Sequence, residues 1–444
     1  MKRIHVSAGM VNQTPLDWGG NADRLRLSIS EARERGAQLL CLPELAVTGY
    51  GCEDEFLAPG VAAKAMGVLL DLRKETEGMV VAVGLPVLHH NCLFNAAAVL
   101  ADGRLLGFAA KQHLAGDGLH YEPRWFKAWP EKVCDQIEVD GREVAFGDCV
   151  FEVGGVRIGF EICEDAWVAN RPGSDLARRA VDVILNPSAS HFAFGKQEVR
   201  ERFVVEGSRA FACNYVYTNL IGNDAGRIIY DGGAMIAAGG ELVAEGKRFS
   251  FHDHDLVEAV LDIEHTRMLQ ARTVSHRVLL GEAGDSVQSV DFNWARAGGA
   301  NTPRRREPVG KEEEFARAVG LGLFDYLRKS RSRGFVVSLS GGADSAAVAC
   351  LSQLAVQLAC AELGVDGVKR KLAYLDLPPE PDHWTAELLT CVYQATRNSS
   401  TATSDAARSV ADGLGATFYS WDVDTIVEGY KAIVGDALGC DWDW

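Results

Sequence analysis

Gly159-Phe160-Glu161-Ile162-Cys163-Glu164-Asp165-Ala166-Trp167 is the stretch on which the reading of this chain turns. It leaves an apolar, β-branched run over 156–162 and breaks into acidic, helix-forming residues at the cysteine. Strand ends are where α/β proteins collect their site side chains. A free thiol titrates near pH ~8.5, so a cysteine placed there needs a base or a cation to become a nucleophile. Two further strand ends supply both. Leu42-Pro43-Glu44-Leu45 follows a strand over 38–42, and Lys111 follows a strand over 104–110. Glu44 can take the thiol proton and return it to a leaving amine, while the Lys111 ammonium stabilises the developing oxyanion. Together the three make an amide-hydrolysis set without histidine.

The surrounding pattern is mixed α/β. Strands are predicted at 4–8, 38–42, 79–84, 95–100, 104–110, 156–162, 181–186, 213–219 and 233–238, with an edge-like strand at 255–262. Helices are predicted at 22–37, 61–77 and 198–211. The Asp102-Gly103 turn signals a hairpin and so excludes a purely parallel sheet. Residues 1–290 form the first domain of this reading, and 291–310, rich in Gly, Pro and Arg, a linker. Residues 311–444 form a short second domain. It has helices at 311–328, 344–361, 383–395, 403–414 and 425–438, and strands at 335–339, 372–377 and 417–423. A doubly wound domain normally has more strands than this.

Of the 444 residues, 47% are hydrophobic and 24% charged, enough for two or three packed domains and too apolar for disorder. The net charge of -16 argues against a general affinity for nucleic acid or an anionic membrane. No run of about 18 apolar residues predicts a spanning helix, and the start, Met1 to Val6, carries no apolar signal segment. The 11 cysteines are scattered, with no C-x-x-C pair, which fits a reduced, cytoplasmic protein without structural zinc.

The order of Glu44 in an L-P-E context, Lys111, and Cys163 in a G-x-x-I-C-E-D context resembles the nitrilase, or carbon–nitrogen hydrolase, superfamily. That resemblance, over about residues 3–265, implies a four-layer α-β-β-α sandwich and amide cleavage through a cysteine thioester. It gives Glu44 the role of general base and acid, Cys163 the nucleophile and Lys111 the oxyanion electrophile, helped by the backbone N–H after Cys163. Glu122, in His120-Tyr121-Glu122-Pro123, resembles the family's second, supporting glutamate. In the glutamine-using branch the carboxylate beside the nucleophile meets the substrate's α-ammonium, and here that residue is Glu164. Asn186-Pro187-Ser188-Ala189-Ser190-His191 resembles the same branch, with Ser190 the substrate-contacting hydroxyl and Tyr50 a pocket wall.

In the second block, Ser338-Leu339-Ser340-Gly341-Gly342-Ala343-Asp344-Ser345 follows a strand and opens a helix. Glycines admit a phosphate to backbone N–H groups, and the helix N-terminus favours the anion. S-G-G-x-D-S resembles the pyrophosphate loop of the ATP pyrophosphatase superfamily, which implies ATP contacts from Ser340, Gly341, Gly342, Asp344 and Ser345. It also implies Mg2+ arriving with ATP as a substrate complex, near Asp344, and no tightly bound organic cofactor. The segment from Leu389 to Thr403 resembles the nucleotide-binding segment of glutamine-dependent, two-domain NAD synthetases. Arg397, Asn398, Ser399, Ser400 and Thr403 would be its deamido-NAD contacts, and Tyr374 to Leu377 would lie on an adenine-reading strand.

The expected fold is thus α/β throughout: a nitrilase-like sandwich followed by an incomplete doubly wound domain of the adenine-nucleotide α-hydrolase kind. The implied partners are L-glutamine, deamido-NAD and ATP, in a homo-oligomer with an ammonia tunnel and without nucleic acid or membrane. The resemblance also implies a longer continuation, including a Q-A-R-x-R-like helix that does not occur here, so a partner chain supplying it is an open alternative. Two others stay open on sequence grounds: a stand-alone amidase with a vestigial second domain, and a non-catalytic nucleotide-binding subunit. Taken singly, Glu44 could serve as a helix-start carboxylate, Lys111 as a solvated side chain, Cys163 as a buried small hydrophobe and Asn398 to Ser400 as a helix cap.

Overall fold

The structure is a computed structural model and describes residues 2–279, 287–298, 301 and 309–440. The chain divides into two compact units, Met1–Lys311 and Glu312–Trp444.

The first unit holds two large sheets. One has eight strands in the spatial order His254–Asp262, Arg3–Val11, Leu39–Cys41, Val80–His89, Cys92–Ala101, Arg104–Ala110, Arg142–Gly147 and Cys134–Val139. The other has seven, in the order Glu241–Glu245, Met235–Ala238, Asn214–Asn219, Val183–Ser188, Val156–Phe160, Val150–Val153 and Val287–Val290. Period-2 alternation sorts their side chains into layers. Ile4, Val6, Ala8, Val80 and Ala82 of the first sheet meet Val153, Ile158, Val183, Val216 and Ile236 of the second in a buried inter-sheet core. On its other face the first sheet sends Val81, Val83, Leu85 and Val87 toward Leu25, Ile29, Ala65 and Leu69 of the helices Trp18–Glu34 and Val61–Leu72. The second sheet packs Ile184, Tyr215 and Tyr217 against Leu176 and Val204 of Gly173–Arg178 and Lys196–Ala210. The layers are therefore α-β-β-α.

Asp102 and Gly103 carry φ of 49° and 74° between two antiparallel strands, the two-residue turn that hairpin twist favours. His254–Asp262 lies at the sheet edge, paired antiparallel to Arg3–Val11. The expected linker is structured in part. Val287–Val290 joins the second sheet, Trp294 Nε1 donates to Val153 O at 2.9 Å, and the Asn301 side chain exchanges two hydrogen bonds with Val260. Residues 299–300 and 302–308 of that linker lie outside the described residues. Cys134 and Cys149 are joined as a disulfide, where the scattered cysteines had suggested free thiols alone.

The second unit is a parallel three-stranded sheet, Phe335–Ser338, Leu389–Ala395 and Thr417–Asp422, with the Leu389 strand central. Helices Lys311–Ser330, Ala343–Lys371, Thr401–Leu414 and Asp424–Leu438 accompany it. Two sequence expectations fail here. Residues 372–377 form a turn rather than a strand, because the Tyr374 hydroxyl donates back to Leu327 O and Ser332 O and Pro378 and Pro379 follow at once. The helix predicted over 383–395 stops at Leu388. Leu389 to Tyr393 instead fill the central strand position, where Cys391 and Val392 are buried between two neighbours. Ala343–Lys371 also proves long and apolar enough to meet the length and composition of a membrane span, with a mean hydropathy of 1.6 over its best window. It buries Ala349, Ala355 and Ala359 within the unit.

Candidate active site

Three strand ends of the first unit converge on one buried cluster. Glu44 leaves the strand Leu39–Cys41 on a tight loop that presses against its neighbour. A Cβ on Gly84 would lie 2.3 Å from Leu45 N and 2.7 Å from Glu44 Cα, so only glycine permits this approach. Lys111 ends the strand Arg104–Ala110, and Glu122 opens the short helix Glu122–Trp125 that folds back over it. Cys163 follows Val156–Phe160 with φ of 48°, a left-handed conformation that costs a non-glycine residue strain and turns its sulfur out of the strand direction.

The carboxylates and the ammonium interlock. Lys111 Nζ donates to Glu44 Oε1 at 2.5 Å and to Glu122 Oε1 at 2.8 Å. Asn95 Nδ2 also donates to Glu44 Oε1, at 2.7 Å. Glu44 Oε2 accepts from the Ala189 N–H at 2.9 Å, and that same N–H is a hydrogen-bond partner of Cys163. One Glu44 oxygen is thus held by lysine while the other stands beside the thiol. Glu122 further accepts from Tyr50 Oη at 2.7 Å and from Ala115 N at 3.2 Å.

The electrostatics match this geometry. Burial pushes Lys111 down, but Glu122 and Glu44 outweigh it and hold the ammonium well above its ordinary range. Burial, with Glu44 adding to it, pushes the Cys163 thiol up. At rest the Cys163 sulfur is therefore a protonated thiol. Burial lifts Glu122 to about 7 against the pull of Lys111.

Asp165 ties the two reactive loops together and was passed over in the sequence. Its Oδ1 accepts from Gln112 N, His113 N and His113 Nδ1 at 3.2, 2.8 and 3.1 Å, and its Oδ2 from Ile162 N at 2.9 Å. Glu161 braces the strand below, accepting from Arg171, Gly173 N and Tyr215 Oη. Asn95 was also missed, although a lone amide inside the apolar run of Phe94-Asn95-Ala96 was a usable signal.

The expected substrate contacts divide. Glu164 is half-buried next to Cys163, and burial raises its pKa. Lys196, at the start of Lys196–Ala210, lies within electrostatic reach of Cys163 and Glu164, and burial together with Arg200 lowers it to about 8. A carboxylate adjoins Cys163 in the chain, and an ammonium lies within electrostatic reach of both. Tyr50 is buried, and its hydroxyl also meets His120 Nδ1 at 2.9 Å; His120 Nε2 meets His191 Nδ1 at 2.8 Å, which meets Lys196 Nζ at 3.1 Å. Burial lowers His120 to about 3 and His191 to about 4, so both are neutral links at neutral pH. Ser190 is buried, and its hydroxyl oxygen accepts from Arg200, itself paired with Asp231 at 2.7 Å. It keeps one proton to donate.

In the second unit the loop and the later segment meet. Gly341 has φ of 81°, and a Cβ there would lie 2.5 Å from Thr403 O. Ser340 N donates to Ser345 Oγ at 3.1 Å, and Gly342 precedes the helix whose first turn holds Asp344. Ser400 caps Thr401–Leu414, accepting from Thr403 N at 3.2 Å, and Ser399 Oγ accepts from Thr396 N at 2.9 Å. The Arg397 guanidinium is paired with Asp424 at 2.9 Å and Glu428 at 3.3 Å, so a phosphate would compete there with two carboxylates. Asn398 is exposed.

Comparison with known proteins bears on both units. The carbon-nitrogen hydrolase family's sequence model matches residues 6–267, and that of NAD synthase residues 316–439. The crystal structure of a glutamine-dependent NAD(+) synthetase from Cytophaga hutchinsonii is 38% identical with a TM-score of 0.82, covering 100% of this chain and 69% of that one. The chain belongs to the glutamine-dependent NAD(+) synthetase family. Within that family, the synthetases of Bos taurus and Saccharomyces cerevisiae are 31% and 32% identical over 98% of this chain. The chain spans 64% and 65% of their lengths.

Proposed function

We propose that the first unit hydrolyses the side-chain amide of glutamine and that the second uses the ammonia to amidate deamido-NAD at the expense of ATP. The placement of Glu44 carries the first half. With Oε1 on Lys111 and Oε2 beside Cys163 through the shared Ala189 N–H, Glu44 takes the thiol proton as sulfur attacks the amide carbon. The oxyanion falls to the Lys111 ammonium and the backbone N–H after Cys163, a type of stabilisation worth roughly 10²–10³ in rate per donor. Glu44 returns the proton to the departing ammonia, then activates the water that opens the thioester to glutamate. Glu164 meets the substrate's α-ammonium, and Lys196 its α-carboxylate. Ser190 donates its remaining proton, and Tyr50 holds Glu122 at the pocket wall.

In the second unit, Gly341, Gly342 and Ser340 cradle the pyrophosphate of ATP at the helix N-terminus, and Asp344 would hold the Mg2+ that arrives with ATP, whose charge would offset that of the phosphates. Ser345 braces the loop. The approach of Gly341 to Thr403 supports a shared site with the Asn398, Ser399 and Ser400 segment for deamido-NAD. The carboxylate of deamido-NAD is adenylated, pyrophosphate leaves, and ammonia displaces AMP. A second reading, an amidase whose synthetase unit works with further polypeptide, is favoured by one observation. Ile426, Tyr430 and Ile433 form an exposed apolar stripe on Asp424–Leu438.

The test is one reaction. The chain is mixed with glutamine labelled with nitrogen-15 at its amide, ATP, Mg2+ and deamido-NAD, and glutamate and NAD are followed by mass spectrometry. Labelled NAD in step with glutamate is the expected result. Glutamate without NAD would favour the second reading, and neither product would overturn both.

A further inference from the structure

Away from the amidase cluster, three potential metal ligands converge at the tip of a hairpin. The strands Val80–His89 and Cys92–Ala101 are joined by His90 and Asn91, with φ of 47° and 59°. Consecutive strand side chains point to opposite faces. The left-handed turn at His90 instead brings its ring to the side of its neighbour, and the two imidazoles lie with centroids 4.0 Å apart. A two-residue turn of this kind requires positive φ at both positions, which His90 and Asn91 supply.

Both rings aim at one atom. His89 Nε2 lies 3.0 Å and His90 Nε2 2.7 Å from Asp135 Oδ2. Asp135 Oδ1 is already taken by the Gln136 N–H at 2.8 Å, which fixes the carboxylate with Oδ2 toward the histidines. His89 is braced against Phe146, at a centroid distance of 5.0 Å, and its side chain is 9% exposed. His90 is 69% exposed, so the point of convergence is open to solvent on one side. Three potential ligand atoms thus gather at one point, all within 4.8 Å of one another. Neutral imidazole is the form that binds metal.

We propose that His89, His90 and Asp135 form a binding site for a divalent transition-metal ion of the zinc class. Two nitrogens and one oxygen, with open positions for water, suit Zn2+, Ni2+ or Co2+. Ligand bonds of about 2.0 Å separate donor atoms by about 3.3 Å in a tetrahedral set, so each histidine–carboxylate contact, at 3.0 and 2.7 Å, would open by about half an ångström or less. The ion would clamp the hairpin tip to the strand Cys134–Val139, closing a 46-residue loop that carries Lys111 and Glu122. Its role is structural: it stabilises the folded unit by mass action and touches no reacting atom.

The test uses the full chain after chelation, titrated with Zn2+ in equilibrium dialysis and with Co2+ by visible absorption. The expected result is one ion per chain and a nitrogen–oxygen Co2+ spectrum without a thiolate charge-transfer band. Binding should weaken at least about tenfold in His90→Asn, which suits the turn, and in Asp135→Asn, but persist in Cys163→Ala. Zinc should raise the melting midpoint of the parent and leave that of Asp135→Asn unmoved. No saturable binding, binding unaltered in both site variants, or a thiolate band lost in Cys163→Ala would overturn the proposal.

Discussion

Asp165→Asn separates positioning from chemistry in the first unit. The substitution keeps shape but replaces one carboxylate oxygen with a donor. With Oδ1 kept on Gln112 N and His113, the new amide nitrogen faces the Ile162 N–H across a 2.9 Å contact made for an acceptor. Flipping the amide would orphan three contacts instead. A buried donor left unpaired costs about 1–3 kcal/mol, and the hydrogen bonds that remain lose their charge assistance. Burial raises the Asp165 pKa, so removing the charge recovers some desolvation, and the net loss is placed near 2 kcal/mol. At about 2–4 °C per kcal/mol, the melting midpoint should fall by roughly 4–8 °C. Because Asp165 links the loop after Lys111 to the loop of Cys163, a displacement of about 1 Å should lower kcat for glutamine hydrolysis by about 10². KM should change by less than kcat does, because Lys196 lies on Lys196–Ala210, outside both loops, while Glu164 moves with Cys163. His113, held above its ordinary pKa first by its hydrogen bond to Asp165, should titrate lower, as read by proton NMR. A lowered melting midpoint with kcat within threefold of the parent would refute the positioning role and leave Asp165 a fold residue.

Other outcomes follow from the same geometry. Lys196 is held at about 8, so its ammonium is present below that pH and lost above it. KM for glutamine should therefore rise about tenfold per unit above pH 8 while kcat stays level, and Lys196→Arg should push that rise to higher pH; a flat KM in the parent would exclude Lys196 from carboxylate binding. Glu164→Gln should raise KM for glutamine at least tenfold more than KM for an uncharged amide, and equal losses on both would remove the carboxylate from α-ammonium recognition. Gly341→Ala, whose Cβ would meet Thr403 O at 2.5 Å with φ of 81°, should cut AMP formation at least tenfold. Parent-like AMP formation in that variant would show that the loop tolerates the shift and does not seat the pyrophosphate.

Much of the first unit was legible because its signals are local. Alternation in Ile4-His5-Val6-Ser7-Ala8 and the Asp102-Gly103 turn place strands and a hairpin without reference to the rest of the chain. Glu44, Lys111 and Cys163 could be singled out because each sits at the end of such a strand. In the second unit the same rules misplaced 372–377 and 383–395. Apolar runs of that length suit strand or helix equally, and burial between two neighbouring strands chose for Leu389 to Ala395.

The sequence by itself determined the layered α/β class, the order of the reactive residue types, and the glycine loop poised between a strand and a helix. Only the tertiary structure decided that Glu44 shares one ammonium with Glu122 and one backbone N–H with Cys163. It also decided that Asp165 joins two loops, that Lys196 comes within electrostatic reach of Cys163 and Glu164, and that Arg397 is spent on Asp424. The physical reason is distance along the chain. Strand and turn preferences act over a few residues. The partner of a buried charge is whichever group the packed sheets bring within hydrogen-bond reach, and for Glu44 and Ala189 those groups are 145 residues apart.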